Sequence, residues 1–390
     1  MKILHVIPSY IPAYQIGGPV KAVHDLCRAL VLRGLEVFVL TTTAGLGKVP
    51  GPFPYQNKID GVEVSYFPIG LFKRYNYAYG IARAIWNKVS RYDLVHIHSV
   101  FSYTTLVACI ACHRSKVPHI LNPWGALDND MINLKNRMAK IAYIRVIEKN
   151  NLKGVSAIQV LSDYERRKLQ ELGFSQKIEI IPPGLDLSEY NKQKDILRIR
   201  YPELKDKKII LYLGRIHPKK GIEILLEAFS KVIIARDDAY LVVAGPIDDY
   251  AKRMISFVKE KSPLNKRVIF TDILLGIDKV GAFHASDIFV LTSYGENFAI
   301  AALEALACGV PVVLTKEVGL SSDVEEYGAG FIVKQGVLEI SEAIEKLLSN
   351  PNLREAMSLR GKSLVRERFN SDVITNKVIA LYESVINRKL

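Results

Sequence analysis

Short β-branched runs alternate with helical patterns along almost the whole chain, and this alternation limits the possible folds more than any other feature. Runs of this kind in the first half include KILHVI, LEVFVLTT, VEVSYF, DLVHIHS, PHILN, SAIQVLS and KIEIIP. The second half continues with KIILYLG, YLVVAG, RVIFTD, DIFVLTS, PVVLT and GFIV. Apolar runs separated by helices are typical of parallel strands that are buried on both faces and joined by crossover helices. The chain is therefore predicted to be α/β, with doubly wound parallel sheets.

The segment PPGLDLSEYNKQKD interrupts this alternation with two prolines, a glycine and several charges. Such a stretch predicts a boundary between two domains, and a length of 390 residues also favours two. We predict a first domain at residues 1–188, a second at residues 189–370 and a final helix within residues 371–390.

Four further segments bear on the candidate site. The helical patterns predict helices at about Phe72–Ser90, Met131–Lys149 and Glu296–Ala307. The stretch AGLGKVPGPFPYQNKIDG, residues 44–61, is rich in glycine and proline and long for a connection in a compact domain. We predict that it is a mobile loop that contacts substrate.

The formal net charge of +13 is concentrated in the first half, where residues 1–190 carry 23 Lys and Arg against 14 Asp and Glu. A basic excess attracts nucleic acid, anionic lipid headgroups or a diphosphate-bearing substrate. No helix-turn-helix, zinc or RNA-binding pattern accompanies it, so a nucleic-acid-binding protein is disfavoured.

The four cysteines, Cys27, Cys109, Cys112 and Cys308, are too few for a disulfide scaffold in a chain of this length. CIACH has the haem-attachment spacing C-x-x-C-H, but it lies inside a helical pattern, and two buried thiols beside a surface histidine are the preferred interpretation. MKILHVIPSY has no signal-peptide core, and no apolar run of membrane-spanning length follows, so we predict a cytoplasmic protein.

The motif YLGRIHPKKG places Gly214 at the end of a predicted strand, followed by Arg215 and Lys220 before the next helix. A guanidinium fork and an ammonium beside a helix N-terminus suit a diphosphate group. A solvated basic loop is the alternative for this motif taken alone.

The stretch SYGENFAIAALEALACGVPVV carries Glu296 just after a strand and Glu304 eight residues later. With a helix beginning at about Asn297, the two carboxylates are separated by on the order of 12 Å along its axis. One carboxylate can accept hydrogen bonds from sugar hydroxyls and the other from ribose hydroxyls, while N–H groups near Phe298 and Ala299 face the phosphates between them. The spacing alone is weak evidence, and its position after a buried strand and beside a basic motif strengthens it.

These motifs together resemble the retaining GT-B glycosyltransferases of family four. The resemblance is carried by Gly17-Gly18 after the first strand, DLVHIHS around His98, Gly214-Arg215 with Lys220, and E-x7-E followed by ALACGVPVV. It implies two Rossmann-like domains facing a central cleft, with the final helix packing back on the first domain. The second domain would mainly hold a nucleotide-diphospho-sugar donor, and the first domain an acceptor.

The resemblance also implies roles for individual residues. It assigns Arg215 and Lys220 to the donor diphosphate, Glu304 to the ribose and Glu296 to the hydroxyls of the donor sugar. His98 would face the donor sugar, and the Gly17-Gly18 backbone would close over the phosphates. The predicted catalytic residues are His98, Glu296, Arg215 and Lys220, and the predicted substrate-binding residues are Gly17, Gly18, Gly214, Asn297, Phe298, Ala299, Glu304 and Trp124.

The chain departs from the family pattern at three positions. Asn297 and Ala299 stand where the family usually has glycine, and both are small enough to leave backbone N–H groups available. Trp124, in NPWGALD, stands where relatives show His or Arg. Its ring either stacks on a sugar or is buried in the core, and both interpretations stay open.

The chemistry predicted from these residues uses no metal and no cofactor, because the nucleotide sugar is a co-substrate. No convincing D-x-D metal site is found, and Asp237-Asp238 and Asp248-Asp249 are predicted to be solvated loops. Cationic groups and a helix terminus would stabilise the departing diphosphate instead. The family implies that the acceptor attacks on the face the diphosphate leaves, so that the anomeric configuration is retained.

We therefore predict a hexosyltransferase that moves a hexose from UDP-glucose or another UDP-hexose to a lipid-linked or oligosaccharide acceptor in envelope or exopolysaccharide biosynthesis. The alternative is a non-transferring relative of the same architecture, such as a UDP-sugar epimerase. A dinucleotide-dependent oxidoreductase is disfavoured because IPSYIPAYQIGGPV lacks the G-x-G-x-x-G spacing.

The first domain also suggests contact with a membrane surface. LFKRYNYAYGIARAIWNKVSRY, residues 71–92, mixes basic and aromatic residues in a predicted helix, and KNRMAKIAYIRVIEK, residues 135–149, is basic as well. Such helices suit an anionic interface on the inner face of the cytoplasmic membrane. Two crossover helices with solvated charged faces are the alternative.

Overall fold

The computed structural model describes residues 1–47, 53–70, 72, 75–127, 137–174, 176–191 and 193–387. It divides into two compact units, which we call unit 1 and unit 2. Unit 1 comprises Met1–Gly184 and Ser371–Leu390, and unit 2 comprises Leu185–Asn370. The predicted boundary at residue 188 lies in a 3-10 turn of unit 2, Leu187–Tyr190.

Unit 1 is built on a sheet with eight strands among the described residues. The strands are β1 (Lys2–Val6), β2 (Glu36–Thr42), β3 (Tyr55–Ile59), β4 (Val62–Phe67), β5 (Leu94–His98), β6 (His119–Asn122), β7 (Ala157–Val160) and β8 (Ile178–Ile180). Their order across the sheet is β3-β4-β2-β1-β5-β6-β7-β8. The pairs are parallel except for β3, which pairs antiparallel with β4 at the edge.

The helices of unit 1 connect these strands and cover the sheet. Those before the C-terminal segment are α1 (Gly18–Leu32), α2 (Ile81–Lys88), α3 (Tyr103–Ser115), α4 (Arg137–Tyr143), α5 (Lys149–Lys153) and α6 (Asp163–Glu171). A π-helical turn, Ile144–Glu148, joins α4 to α5. Two 3-10 turns lie at Tyr14–Ile16 and Val89–Arg91.

Three sequence predictions in unit 1 are corrected by the structure. The helix predicted at Phe72–Ser90 begins only at Ile81, because Gly80 has a left-handed backbone (φ 78°) that ends the preceding turn. The predicted loop at residues 44–61 contains β3, and residues 48–52 lie outside the described part of the chain. The helix predicted at Met131–Lys149 is described from Arg137 and continues to Lys153, while residues 131–136 lie outside the described part.

Unit 2 is built on a parallel sheet with six strands among the described residues. The strands are β9 (Lys208–Leu213), β10 (Ala239–Ala244), β11 (Val268–Asp272), β12 (Ile288–Leu291), β13 (Val312–Thr315) and β14 (Gly330–Val333). Their order across the sheet is β11-β10-β9-β12-β13-β14, so β9 and β12 are central neighbours. The sheet changes direction of winding between them, and in sheets of this type ligands bind at that point, beyond the carboxyl ends of the strands.

Helices connect the strands of unit 2 and cover the sheet. They are α7 (Ile196–Arg200), α8 (Ile222–Ala235), α9 (Asp249–Glu260), α10 (Gly276–Ala285), α11 (Ile300–Ala307), α12 (Ser321–Tyr327), α13 (Val337–Ser349) and α14 (Pro351–Leu364). Further 3-10 turns lie at Pro202–Leu204, Pro218–Lys220 and Leu264–Lys266, and a π-helical turn at Val365–Phe369.

The last helix, α15 (Ser371–Asn387), returns to unit 1 and packs against α1. Its buried face contributes Ile374, Val378, Leu381 and Tyr382 to the core that α1 shares with β1 and β2. At the exposed rim, Arg33 donates to the Asp372 carboxylate at 2.7 Å. The predicted return of the final helix is therefore confirmed, and apolar burial is its main source of stability.

The prediction of an α/β fold with two doubly wound sheets is confirmed as well. β1, β5, β6, β7, β12 and β13 are buried almost throughout, as parallel strands covered by helices on both faces must be. Within the part of the chain that the structure describes, no helix has both the length and the apolar character needed to cross a bilayer.

Removing part of the α15 contact is expected to destabilise unit 1. Leu381 is 4% exposed, so Leu381→Ala should lower the free energy of unfolding by about 2–5 kcal/mol. Leu32, on α1 of the same unit, is 78% exposed, and Leu32→Ala should change that free energy by less than about 0.5 kcal/mol. Urea unfolding followed by circular dichroism measures both, and equal effects would contradict the packing described for α15.

Candidate active site

The predicted diphosphate and carboxylate motifs of unit 2 follow two neighbouring strands. Residues 214–220 come after β9, and residues 292–299 come after β12. Because parallel neighbours end at the same edge of a sheet, the two segments lie side by side. The backbone N–H of Tyr294 donates to the Lys219 carbonyl at 2.9 Å, and the Thr292 hydroxyl donates to the Gly221 carbonyl at 2.8 Å.

Gly221, the residue after the first segment, packs closely against the second. Its φ of 64° is left-handed, and a Cβ there would lie 2.2 Å from the Thr292 carbonyl oxygen. Any side chain at this position would push the two segments apart, so glycine is required by space as well as by conformation. The position of Lys220, the preceding residue, depends on this contact.

Lys220 and Glu296 form an ion pair where the segments meet, Nζ of Lys220 contacting Oε2 of Glu296. Their side chains are 20% and 19% exposed. Burial lowers the pKa of the Lys220 ammonium, and the positive charges of Arg215 and Lys219 add to this, whereas the Glu296 carboxylate favours the charged form. The structure thus brings together two of the predicted catalytic residues.

Arg215 and Gly214 lie on the same segment as Lys220. The Arg215 side chain is exposed, and its carbonyl accepts a hydrogen bond from the Tyr212 hydroxyl at 2.7 Å. Gly214 donates its backbone N–H to the Ala244 carbonyl at 3.0 Å, so that N–H is used inside the protein. A Cβ on Gly245 would lie 2.0 Å from the Gly214 carbonyl oxygen, so these two strand ends pack backbone against backbone.

The helix predicted to begin at about Asn297 begins at Ile300 instead. Ala299 precedes it with a left-handed backbone, φ 73° and ψ 66°, which a helix cannot include. Phe298 is 3% exposed, and its ring contacts that of Phe369 edge-on, with centroids 5.5 Å apart. Because the helix begins later than predicted, Glu304 lies in the second turn of α11 rather than two full turns from its start. The N–H groups without helical partners belong to residues from Ile300 onward.

Glu304 is buried, with 3% of its surface exposed. The Tyr190 hydroxyl donates to its Oε1 at 2.9 Å, and Nζ of Lys279, on α10, contacts the same oxygen. A buried carboxylate needs such partners, because an unpaired buried charge is strongly unfavourable. Neither Tyr190 nor Lys279 was predicted from the sequence, where an acidic residue inside an apolar helix was the only signal that a cationic partner existed.

Unit 1 places His98 at the last position of β5, where it is 1% exposed. His96 lies two residues earlier on the same face of the strand, and His5 pairs with His96 across the neighbouring strand β1. Three imidazoles therefore meet on one face of the sheet. Their potential metal-ligating atoms lie within 4.8 Å of one another, the one such group of three found among the described residues.

The three imidazoles have hydrogen-bond partners of different kinds. Nε2 of His98 lies 3.0 Å from Nδ1 of His5, and Nδ1 of His96 lies 2.8 Å from the hydroxyl of Tyr382 on α15. Burial lowers the pKa of His5 to about 3, and burial together with the neighbouring imidazoles lowers the pKa of His96 and His98 well below 6.5. All three rings are neutral near pH 7.

Trp124 lies beside His98 because the strands that carry them are paired. His98 is opposite Asn122 in the β5–β6 register, and Trp124 follows Asn122 by two residues. The indole N–H donates to Nδ1 of His98 at 3.3 Å, and the half-buried ring packs at the edge of the core. The structure thus brings together Trp124 and His98, and the backbone of Trp124 is left-handed (φ 53°).

The Gly17-Gly18 pair stands at the start of α1. Gly17, with φ 132°, precedes the helix, and Gly18 is its first residue, followed by Pro19. The backbone N–H of Gly17 donates to the Tyr14 carbonyl at 3.1 Å. Further along α1, Ala22, Val23 and Leu26 line a hollow that they share with His98 and Trp124.

The C-x-x-C-H stretch carries no sign of a haem site. Cys109 and Cys112 are buried in α3 as free thiols, and burial raises the pKa of both. His113 is exposed. The preferred interpretation, two buried thiols beside a surface histidine, matches this arrangement.

Family models match both halves of the chain. Residues 193–364 match the model described as "Glycosyl transferases group 1", and residues 16–189 match "Glycosyltransferase Family 4". Together the two models cover most of the chain, and β1 and α15 lie outside them.

Curated relatives match over most of their length at low identity. An uncharacterized glycosyltransferase of Methanocaldococcus jannaschii is 26% identical, over 98% of each chain. D-inositol 3-phosphate glycosyltransferase of Stackebrandtia nassauensis is 24% identical over 99% of this chain and 91% of the relative. Alpha-monoglucosyldiacylglycerol synthase of Streptococcus pneumoniae is 24% identical over 89% of this chain and 78% of the relative.

Solved structures share the fold. HepE of Anabaena, solved with UDP and glucose, superposes with a TM-score of 0.78 at 20% identity, over 98% of this chain and all of HepE. Sucrose-phosphate synthase of Thermosynechococcus elongatus superposes with a TM-score of 0.80 at 20% identity, over 99% of each chain. The chain therefore has the GT-B glycosyltransferase fold that the sequence predicted.

The buried imidazoles predict that stability depends on pH in the acid range. Folding lowers the pKa of His5, His96 and His98 below the unfolded value of 6.5, so the unfolded chain binds more protons as the pH falls below 6.5. The free energy of unfolding is therefore highest above pH 6.5, where the three rings are neutral in both states, and it falls as the pH is lowered below 6.5. Each histidine contributes a slope of about 1.4 kcal/mol per pH unit until its folded pKa is reached.

Urea unfolding between about pH 8 and about pH 5 measures this dependence. Below pH 6.5, His5→Gln is expected to reduce the slope of the free energy of unfolding against pH by the contribution of one histidine. His113→Gln, at an exposed position, is the control and should leave the slope unchanged. A free energy of unfolding that stays constant down to about pH 5 would contradict the neutral burial of the three rings.

Proposed function

Because this chain consists of a glycosyltransferase family 4 domain followed by a group 1 glycosyltransferase domain, we propose that it transfers a hexose from a nucleotide-diphospho-sugar to an acceptor hydroxyl. The observation that carries the proposal is the Lys220–Glu296 pair at the adjoining ends of β9 and β12, with exposed Arg215 beside it. Cation and carboxylate side by side at this edge suit a ligand that joins a diphosphate to a sugar.

The pair protects both charges before the donor binds. A half-buried ammonium and a half-buried carboxylate would each be unfavourable alone, and together they satisfy one another. When the donor binds, its diphosphate contacts Lys220 and Arg215, and its sugar hydroxyls donate hydrogen bonds to Glu296. These contacts replace the Lys220–Glu296 ion pair. The N–H groups at the start of α11, after Phe298 and Ala299, add a helix N-terminus to the phosphate side.

The proposed chemistry is a single exchange at the anomeric carbon. The bond from that carbon to the diphosphate oxygen breaks, the acceptor oxygen forms its bond on the same face, and the acceptor proton passes to the departing diphosphate. Negative charge grows on the diphosphate as the bond breaks, so Arg215 and Lys220 stabilise the transition state more than the ground state. The configuration is retained, and the proposal needs no metal and no further cofactor.

The remaining substrate contacts are assigned by position. Glu304 would bind the ribose, with Tyr190 and Lys279 holding its carboxylate. In unit 1, His98 would face the donor sugar, the Gly17-Gly18 backbone would close over the phosphates, and Trp124 would contact substrate. HepE, solved with UDP-glucose, supports UDP-glucose as the donor to test first.

The acceptor is proposed to be lipid-linked or an oligosaccharide of an envelope polysaccharide. Relatives named for glucosyldiacylglycerol synthesis and for capsular polysaccharide biosynthesis support this class. An epimerase of the same architecture is the alternative, and one assay distinguishes the two activities. A transferase releases nucleotide diphosphate in proportion to the acceptor supplied, whereas an epimerase interconverts sugars without needing an acceptor.

Titration calorimetry with a panel of UDP- and GDP-sugars tests the donor site. We expect micromolar binding of one sugar nucleotide without added metal. Glu296→Ala should weaken the intact donor about tenfold or more, because a charged hydrogen-bond acceptor for the sugar is lost. It should leave the bare nucleotide diphosphate equally or more tightly bound, because Lys220 is released.

The matched control for this experiment is Glu325→Ala, at an exposed position on α12 of the same unit. It should bind every ligand as the wild type does. If no sugar nucleotide binds to the wild type, the donor proposal is wrong, and equal weakening of donor and diphosphate by Glu296→Ala would remove the sugar-reading role of Glu296.

Unit 1 is also proposed to dock on an anionic membrane surface. On α2, Ile81 and Ile85 face the core, while Arg83 and Trp86 are exposed on the other side. Phe72 and Tyr79, just before this helix, are 69% and 53% exposed. An exposed mixture of cations and aromatic rings suits a headgroup interface, and it would bring a lipid-linked acceptor to unit 1. Lys73, Arg74 and Lys135, part of the predicted basic surface, lie outside the described residues.

Cosedimentation with anionic liposomes tests this docking. We expect binding at low salt and release at high salt, because the attraction is electrostatic and screened. Arg83→Glu should lower binding about fivefold or more, since each basic residue contributes on the order of 1 kcal/mol and the new carboxylate is repelled. The control is Lys231→Glu, a charge reversal at an exposed position on α8 of unit 2. This variant has the same net charge as Arg83→Glu and should bind the liposomes as the wild type does. Absence of binding at low salt would refute the docking.

A further inference from the structure

The hydrogen bonds around His98 determine which of its nitrogens carries the proton. The Trp124 indole donates to Nδ1 of His98 at 3.3 Å, and an indole nitrogen can only donate. Nδ1 is therefore an acceptor. Because burial keeps the ring neutral, the single proton is on Nε2, and that N–H donates to Nδ1 of His5 at 3.0 Å.

Both ring nitrogens of His98 are thus taken up inside unit 1, and the residue is 1% exposed. A histidine in this state has no nitrogen to offer a sugar hydroxyl. Trp124 is half-buried rather than fully buried, and it lines the same hollow as His98, together with Asn122, Gln159 and Gly184.

The Trp124 turn is held by three polar contacts. The Asn122 side-chain oxygen accepts from the Trp124 backbone N–H at 3.0 Å, and Glu165 accepts from the backbone N–H of Gly125 at 2.6 Å. The third contact is the indole bond to His98. The φ of 53° at Trp124 is unfavourable for a bulky residue, and such strain persists only where the surroundings hold it.

We infer that Trp124 is the residue of unit 1 that contacts a sugar ring, and that His98 is a positioning residue that acts through the indole N–H of Trp124. The flat apolar face of an indole suits the C–H face of a pyranose, while its N–H is anchored away from the sugar. The inference rests on the proposed function and sharpens it, because it moves the sugar contact from the histidine to the tryptophan. The sugar is that of either the donor or the acceptor.

Fluorescence reports this contact directly, because the chain has two tryptophans. In Trp86→Phe the emission comes from Trp124 alone. If the donor supplies the sugar, the Trp124 emission should change when a nucleotide sugar binds but not when the bare nucleotide diphosphate binds. A change that appears only with the acceptor would assign the acceptor sugar instead.

Two results of this titration have different meanings. Calorimetric binding of donor and acceptor with no change in Trp124 emission would overturn the sugar contact while the proposed function stands. If none of these ligands binds at all, the proposed function fails, and the sugar contact fails with it.

The positioning role of His98 has its own test in the free protein. NMR of ¹³C,¹⁵N-histidine-labelled protein distinguishes a proton on Nε2 from one on Nδ1, and we expect His98 with the proton on Nε2. Trp124→Phe, which keeps a ring but loses the N–H, should make His98 a mixture of both forms. A proton on Nδ1 in the wild type, or a stoichiometric metal bound to the purified protein's histidines, would overturn the assignment.

Kinetics separate positioning from direct contact. Trp124→Phe should raise KM for the sugar-bearing substrate about three- to tenfold with kcat within about twofold, the size expected for one neutral hydrogen bond. His98→Gln keeps an acceptor for the indole and should be milder than His98→Leu. In the His98→Leu background, Trp124→Phe should add nothing, whereas independent, multiplying effects would show that His98 contacts the sugar itself.

Discussion

Parallel pairing of β9 with β12 is the constraint on which the candidate site of unit 2 depends. Ile210 and Leu211 pair with Ile288 and Phe289, so both strands run in the same direction and end at the same edge. The residues that follow them are then adjacent in space although about eighty positions apart in sequence. The contact between Lys220 and Glu296 depends on this pairing, and a slip of one residue would turn the buried side chains of β9 and β12 to the other face of the sheet.

Much of this arrangement could be predicted from the sequence, because buried parallel strands and their crossover helices have a strong pattern. The strand runs and the helices between them follow from apolar periodicity, whereas the return of α15 was expected from the resemblance to a known family. What the pattern cannot supply is the partner of a buried charge. Glu304 reveals that it needs a cation, but the choice of Lys279 and Tyr190 depends on how α10 and the turn at Leu187–Tyr190 pack, which no local signal records.

The errors at helix starts have a common cause. Gly80 and Ala299 both adopt left-handed backbones that end one segment before the next helix begins. Glycine at such a position can be anticipated, but alanine cannot, because alanine is the best helix former and normally avoids positive φ. In the same way, Trp124 gave no sign in the sequence that its backbone was strained or that its indole held His98. These are positions where tertiary contacts override local preference, as functional sites often require.

Unit 1 is discontinuous in sequence, since unit 2 is inserted between Gly184 and Ser371. Tyr382, which holds His96 beneath the sheet, and the apolar face of α15 are therefore synthesised after all of unit 2. On the ribosome, the first 184 residues must wait with an uncovered apolar surface along α1 while some 186 further residues emerge and can fold. The α1 surface therefore gains its apolar cover, and His96 its Tyr382 partner, only after the last helix has been synthesised.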